Sequence, residues 1–127
     1  MTQANEARWV LKTMAAMAAA DQRLDAREVG LIRKVYQEQT GQHVDVSGVV
    51  SAVQMYANER DVVAELAEVA GALTRDIKEP IIHGAYQTLA ANGRISEGER
   101  TKLEAIAATL RVSETHLKDV LTRTDET

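Results

Sequence analysis

The sequence predicts an all-α fold, a compact bundle of about seven short helices, and three observations support this prediction. Apolar residues recur every three or four positions along the whole chain, which is the spacing of amphipathic helices. Alanine, the strongest helix former, occurs 20 times among the 127 residues, whereas phenylalanine, which favours strands, does not occur. No stretch of four or more residues alternates cleanly between apolar and polar side chains, so we predict no β-sheet.

Seven apolar stripes define the predicted helices in chain order. Their members are Val10, Met14, Met17 and Ala18; Val29, Ile32, Val35 and Tyr36; Val49, Val50, Val53 and Tyr56; Val62, Leu66, Val69, Ala70 and Leu73; Ile82, Ala85, Tyr86 and Leu89; Leu103, Ile106, Ala107 and Leu110; and Leu117, Val120 and Leu121. The segments between the stripes are short, so we expect consecutive helices to pack as neighbours.

Two helix starts carry the signature of a capping box. Asp25 is followed three residues later by Glu28, and Ser96 is followed in the same way by Glu99. In a capping box the first side chain accepts from a backbone amide of the first turn, and the glutamate bonds back to the amide of the first residue. We therefore predict that the second helix begins after Asp25 and the sixth after Ser96.

Single residues indicate four further boundaries. Ser47 and Ser113 are the predicted N-caps of the third and seventh helices, because a serine hydroxyl can accept from the amides of the first turn. Gly41 predicts the end of the second helix, since glycine readily adopts the left-handed conformation found there. Pro80 is placed near the start of the fifth helix, where a proline is tolerated.

Two segments of the chain match each other at an offset of 71 residues. The segment from Ala19 to Glu28 aligns with the segment from Ala90 to Glu99, and four of the ten positions are identical. Each copy is predicted as a helix, a four-residue turn and a second helix, a unit that cannot bury its apolar face alone. We therefore predict one domain over residues 1–127, with repeat halves at about 7–45 and 78–121 related by an approximate two-fold axis.

The repeated motif resembles that of the TerB-like family, the all-helical domain of tellurite-resistance TerB proteins and of the N-terminal region of DjlA-type co-chaperones. The family motif is roughly Ala-Asp-Gly-x-Leu/Ile-x-x-x-Glu, and this sequence contains it twice, as Ala20-Asp21-Gln22-Arg23-Leu24-Asp25-Ala26-Arg27-Glu28 and Ala91-Asn92-Gly93-Arg94-Ile95-Ser96-Glu97-Gly98-Glu99. Gln22 stands in place of the glycine and Asn92 in place of the aspartate. The resemblance covers about Ala7 to Leu121. It implies a compact seven-helix fold, stress-related operons, a divalent-cation site on the acidic residues and no enzymatic activity.

The polar residues of the two turns are the candidate cation ligands. Calcium and other hard cations prefer oxygen ligands, which all of these side chains supply. The alternative is that the same residues only cap helices, since the positive N-terminus of a helix favours carboxylates without any ion. The spacing does not match an EF-hand loop. The candidate ligands are Asp21, Asp25, Glu28, Asn92, Glu97 and Glu99.

Histidine offers a weaker metal candidate. Of the three histidines, His83 lies four residues after Glu79, so one helix face presents both. A zinc site needs three or four such ligands, and no His-Glu-x-x-His pattern occurs in the sequence. We therefore expect charge pairing between Glu79 and His83 on the helix surface rather than zinc binding.

A partner surface is predicted on the first helix. Trp9 and Met17 share a region of that helix, and methionine and tryptophan are common at adaptable protein contacts. The alternative is that these side chains belong to the core. If they are exposed, we expect a protein partner, either a different protein or a second copy of the chain.

Composition excludes several function classes. The absence of cysteine from the sequence excludes disulfides, thiolate metal sites and a cysteine nucleophile. A net charge of −4 disfavours binding to nucleic acid or to anionic membranes, and no apolar run approaches the length of a membrane span. No serine-nucleophile or phosphate-loop motif occurs.

The repeat and the resemblance to tellurite-resistance TerB together imply a non-catalytic cytoplasmic stress-response module. We expect it to bind a divalent cation, calcium before others, at the acidic turns. The alternative is an adaptor domain that binds a protein without any ion, as a co-chaperone does.

Overall fold

The computed structural model describes residues 2–20, 26–57, 61–90 and 97–125. Within these ranges the chain forms seven α-helices and no strand, which confirms the predicted all-α class. The helices are α1 (Thr2–Ala20), α2 (Ala26–Thr40), α3 (Val46–Ala57), α4 (Val62–Val69), α5 (Arg75–Ala90), α6 (Glu97–Thr109) and α7 (Glu114–Asp125).

α1 and α5 form the centre of the bundle. These two helices share the most extensive contact in the structure, and α1 also packs on α3 and α2, while α5 packs on α2, α6 and α7. One hydrophobic core contains side chains from all seven helices. The predicted stripes supply it, since Val29, Ile32, Val35 and Tyr36 of α2, for example, are all buried.

A glycine allows α1 and α5 to approach each other closely. Gly84 is buried in α5, and a Cβ atom added there would lie 3.0 Å from Cγ and 3.1 Å from Sδ of Met14. It would also lie 3.4 Å from Cγ1 of Val10. The side chains of α1 therefore fill the space that a larger residue at position 84 would need.

Two predicted helix boundaries are confirmed. Ser113 caps α7, because its Oγ accepts from the His116 amide at 3.1 Å and its carbonyl accepts from the Leu117 amide at 2.8 Å. Gly41 ends α2 in the left-handed conformation, with φ at 73°. Its amide donates to the carbonyl of Gln37 at 2.8 Å, which satisfies one of the free carbonyls at the helix end.

The predicted cap of α3 was wrong by two residues. The helix begins at Val46, so Ser47 is its second residue and Asp45 is the N-cap. Asp45 Oδ1 accepts from the Gly48 amide at 2.8 Å and from the Ser47 hydroxyl at 3.1 Å. An ionised carboxylate is a stronger acceptor than a hydroxyl, so the aspartate takes the capping position when both are available.

Two further expectations differ in detail. Pro80 lies in the second turn of α5, because that helix begins at Arg75, so the proline removes one amide from the helical ladder. The fourth stripe extends past its helix: α4 ends at Val69, and Leu73 packs into the core from the connection that follows. Apolar spacing alone predicts neither where Pro80 lies within α5 nor where α4 ends.

The turn between α6 and α7 places an arginine in a conformation that usually belongs to glycine. Arg111 has a φ of 63°. Its amide donates to the Ala108 carbonyl at 3.0 Å, and the Val112 amide donates to the Ala107 carbonyl at 2.9 Å. These two bonds form a Schellman motif, in which glycine is the usual left-handed residue because a Cβ atom there costs about 1 kcal/mol.

Candidate functional site

The structure describes half of the predicted cation ligands. Glu28, Glu97 and Glu99 lie within the described residues, whereas Asp21, Asp25 and Asn92 lie outside them. Ser96, the predicted cap of the sixth helix, also lies outside the described residues. α2 begins at Ala26 and α6 begins at Glu97, so the two helix starts are separated by the 71-residue offset of the repeat.

Glu28 and Glu99 occupy matching positions. Each is the third residue of its helix, and each side chain is half-buried, whereas Glu97 is exposed. Oε2 of Glu28 is shielded from solvent. Both glutamates take part in polar or electrostatic interactions. The third position is where a capping box places its glutamate, and it is also where a carboxylate of each turn could contribute to a cation site.

No metal site is complete within the described part of the chain. In residues 2–20, 26–57, 61–90 and 97–125, no group of three or more histidine, aspartate or glutamate side chains lies close enough together to hold an ion. Calcium takes six to eight oxygen ligands, so Glu28, Glu97 and Glu99 alone do not form a calcium site.

The two residues of the predicted partner surface are placed differently. Met17 has no exposed surface and lies inside the core, so it is not available to a partner. The prediction that Met17 contacts a partner is therefore wrong, because the α1 face that carries it packs against the other helices. Trp9 is half-buried against the core, and Nζ of Lys12 lies 4.3 Å from the centroid of its ring. This cation–π contact covers part of the indole.

Glu79 pairs with a histidine of another helix. Its Oε1 lies 2.8 Å from Nε2 of His116, which joins α5 to the first turn of α7. The side chains are 38% and 46% exposed, so this contact is a surface interaction, with His116 rather than with the His83 expected from the spacing. His83 is half-buried and itself takes part in a polar or electrostatic interaction.

A pocket of about 410 Å³ surrounds this contact. It lies between α5, the turn from α6 to α7, and the first turn of α7. Its walls combine cationic, acidic and hydroxyl side chains, and they are formed by Lys78, Glu79, Arg111, Val112, Ser113 and His116. Local sequence patterns do not indicate this pocket, because its residues come from segments more than thirty positions apart.

A second concavity of about 680 Å³ follows the groove between α6 and α7. Its floor is apolar, with Leu103, Ala107 and Leu117 buried. Charged side chains such as Arg100 and Lys118 line its edges. The groove is a surface on which an apolar segment of another protein could lie.

Two titratable groups elsewhere have shifted pKa values that local structure explains. Burial raises the pKa of the Tyr36 phenol, and its contact with Thr40 and the charge of Arg8 oppose that effect. The Gly48 amide, and after it the Ser47 hydroxyl, hold the pKa of Asp45 below its ordinary value of 3.8. Packing accounts for the first shift and helix capping for the second, so neither one indicates a catalytic group.

Comparison with known proteins identifies one related family. A family model described as "Tellurite resistance protein TerB" matches residues 8–122 of the chain. No curated protein and no solved structure matches the chain. Among the described residues, none of the helices combines the length and the apolar character that crossing a membrane requires.

Proposed function

This chain belongs to the TerB family, since the family model covers residues 8–122, and on this premise we propose that it is a non-catalytic module of the cytoplasmic stress response that binds a divalent cation. The cation is bound at the paired acidic turns, and calcium is the first candidate. Tellurite resistance is the setting that the family name suggests.

The observation that carries the proposal is the matched placement of Glu28 and Glu99. Both are half-buried third residues of their helices, and each is the last residue of one copy of the motif. A carboxylate oxygen with little access to water, such as Oε2 of Glu28, is poorly hydrated and therefore well suited to a hard cation. Asp21, Asp25, Asn92 and Glu97 are the proposed additional ligands.

The competing explanation is that Glu28 and Glu99 only cap α2 and α6. Glutamine distinguishes the two, because it can replace glutamate in a capping box but contributes no negative charge to a cation site. The double variant Glu28→Gln, Glu99→Gln should therefore keep the helix starts and lose the ion. Glu38→Gln is the matched control, since Glu38 is an exposed carboxylate of α2 outside the motif.

Thermal melts of the chelator-stripped full chain test the proposal. A ligand that binds only the native state adds about 2.7 kcal/mol at one hundred times its Kd, which raises the Tm of a domain of this size by several degrees. We expect that rise with millimolar calcium for the wild type and for Glu38→Gln, and its loss in the double variant. If calcium, magnesium and zinc all leave the Tm of the wild type unchanged, the motif residues act only as helix caps.

The groove between α6 and α7 favours a second candidate function, an adaptor domain that needs no ion. Its apolar floor and charged edges resemble the surfaces that bind amphipathic helices. Sedimentation of the wild type tests for a second copy of the chain as the partner. Ala108→Arg places a charge on the exposed part of the groove and should return a dimer to monomer, whereas a monomeric wild type contradicts self-association.

A further inference from the structure

The pocket around His116 concentrates positive charge in a chain whose net charge is −4. Lys78 comes from α5, and Arg111 comes from the turn between α6 and α7. Among the described residues that line the pocket, Glu79 carries the one carboxylate, and that group is already in contact with His116. The lysine and the arginine therefore leave an excess of positive charge next to an opening of about 410 Å³.

Arg111 occupies its position at a cost to the fold. A left-handed residue at this point of a Schellman motif is usually glycine, and the side chain of Arg111 is exposed, so burial does not compensate for the unfavourable backbone. Residues that are held in rarely populated conformations occur preferentially at functional sites. The guanidinium supplies what glycine cannot, a planar group that can bind two oxygens of an anion at once.

We propose that this pocket binds a small, doubly charged oxyanion of the phosphate class. Arg111 contacts it through two parallel hydrogen bonds, and Lys78 contributes a second cation from α5. Glu79 opposes binding by its charge, and its Oε1 is already in contact with Nε2 of His116. The inference does not rest on the proposed function, because the pocket shares no residue with the acidic turns.

Calorimetric titration of the full chain with inorganic phosphate tests the proposal at low ionic strength. The decisive variant is Arg111→Gly, which removes the guanidinium and relieves the backbone, so it cannot lose binding by failing to fold. We expect its affinity for phosphate to fall at least tenfold. Glu79→Gln should bind phosphate several times more tightly than the wild type, because it removes the opposing charge. Arg100→Ala removes a positive charge outside the pocket and should leave the affinity unchanged.

Competing anions define the ligand class. Sulfate and tellurite should compete with phosphate for the same site, whereas chloride at equal ionic strength should not. Titration with phosphoserine shows whether the pocket binds a phosphate monoester or only a free inorganic anion. Binding of either one supports an oxyanion of the phosphate class as the ligand. The proposal is overturned if the wild type binds none of these oxyanions at a ligand concentration of about 10 mM, which is far above the Kd of a useful binding site. It is also overturned if Arg111→Gly binds phosphate as tightly as the wild type.

Discussion

Nε2 of His116 lies 2.8 Å from Oε1 of Glu79, across 37 positions of sequence. The contact attaches the first turn of α7 to α5, the helix that shares the centre of the bundle with α1. It also involves the one carboxylate in the described lining of the pocket, beside the lysine and arginine that we assign to an anion. One surface contact thereby affects both the position of α7 and the charge of the pocket.

We predict that this contact contributes less than about 1 kcal/mol to stability, since both side chains are more than a third exposed and solvent screens their interaction. A double-mutant cycle with Glu79→Gln and His116→Ala, measured by urea denaturation, isolates the coupling energy. The coupling should decrease further as salt is added. A coupling above about 2 kcal/mol would show that the pair is a major attachment of α7.

Replacing Arg111 with glycine should stabilise the protein. The left-handed backbone at this position disfavours any residue with a Cβ atom, and relief of that strain is worth about 1 kcal/mol. Urea denaturation should therefore give a higher midpoint for Arg111→Gly and little change for Arg111→Ala, which keeps the Cβ atom. Equal midpoints for glycine and alanine would mean that the turn carries no strain.

The helices could be predicted from the sequence because their signals are local. Apolar spacing depends only on the helical repeat, so the stripe that contains Ile32 indicates which side of α2 is buried without knowledge of its neighbours. Capping is less determinate, since Asp45 and Ser47 are both good cap residues two positions apart. Only the backbone geometry shows that the aspartate accepts from the Gly48 amide.

The pocket could not be predicted, for two physical reasons. Glu79 and His116 meet only because α5 and α7 pack together, and no periodicity within one helix encodes that contact. The left-handed turn at Arg111 lacks the glycine that usually indicates one. Met17 illustrates the reverse case: its type suits both a core and a partner surface, and its burial was decided by how α1 packs against other helices.

Gly84 should tolerate no large side chain. Valine at this position would press against Met14, which is fully buried and has little room to move, so we expect Gly84→Val to cost about 2 kcal/mol or more. Gly30→Ala is the matched control. Gly30 is an exposed glycine of α2 with nothing within 4 Å of an added Cβ atom, so alanine should stabilise that helix by about 0.5–1 kcal/mol. Thermal melts of the two variants should shift in opposite directions, and a neutral Gly84→Val would show that α1 and α5 can separate without penalty.

Asp61, the N-cap of the short helix α4, should contribute more to stability than Ser47 of α3 does. Its Oδ1 accepts from the amides of Val63 at 2.9 Å and Ala64 at 3.3 Å, in a helix of only eight residues. Asp61→Ala removes both bonds and should lower the free energy of unfolding by about 1 kcal/mol. Ser47→Ala serves as the control, because Ser47 is not the cap of α3 and its exposed hydroxyl should contribute little. If the two variants are equally destabilised, capping of α4 is not the cause.

Asp45 should make stability depend on pH in the acid range. Its pKa is lower in the folded protein than the ordinary value of 3.8, chiefly because the ionised carboxylate accepts from the Gly48 amide. A lowered pKa means that the native state binds the proton less readily than the unfolded state. The stabilisation is therefore complete above pH 3.8 and is lost as the pH falls through the lower, folded value.

Asp45→Asn isolates this contribution, because asparagine caps helices nearly as well but does not titrate. Urea denaturation of both proteins between about pH 6 and pH 2 should give a constant difference in unfolding free energy above about pH 5. Below about pH 4 the wild type should lose stability faster than the variant, so the difference changes in favour of asparagine. Parallel curves over the whole range would show that Asp45 caps α3 without a preference for its charged form.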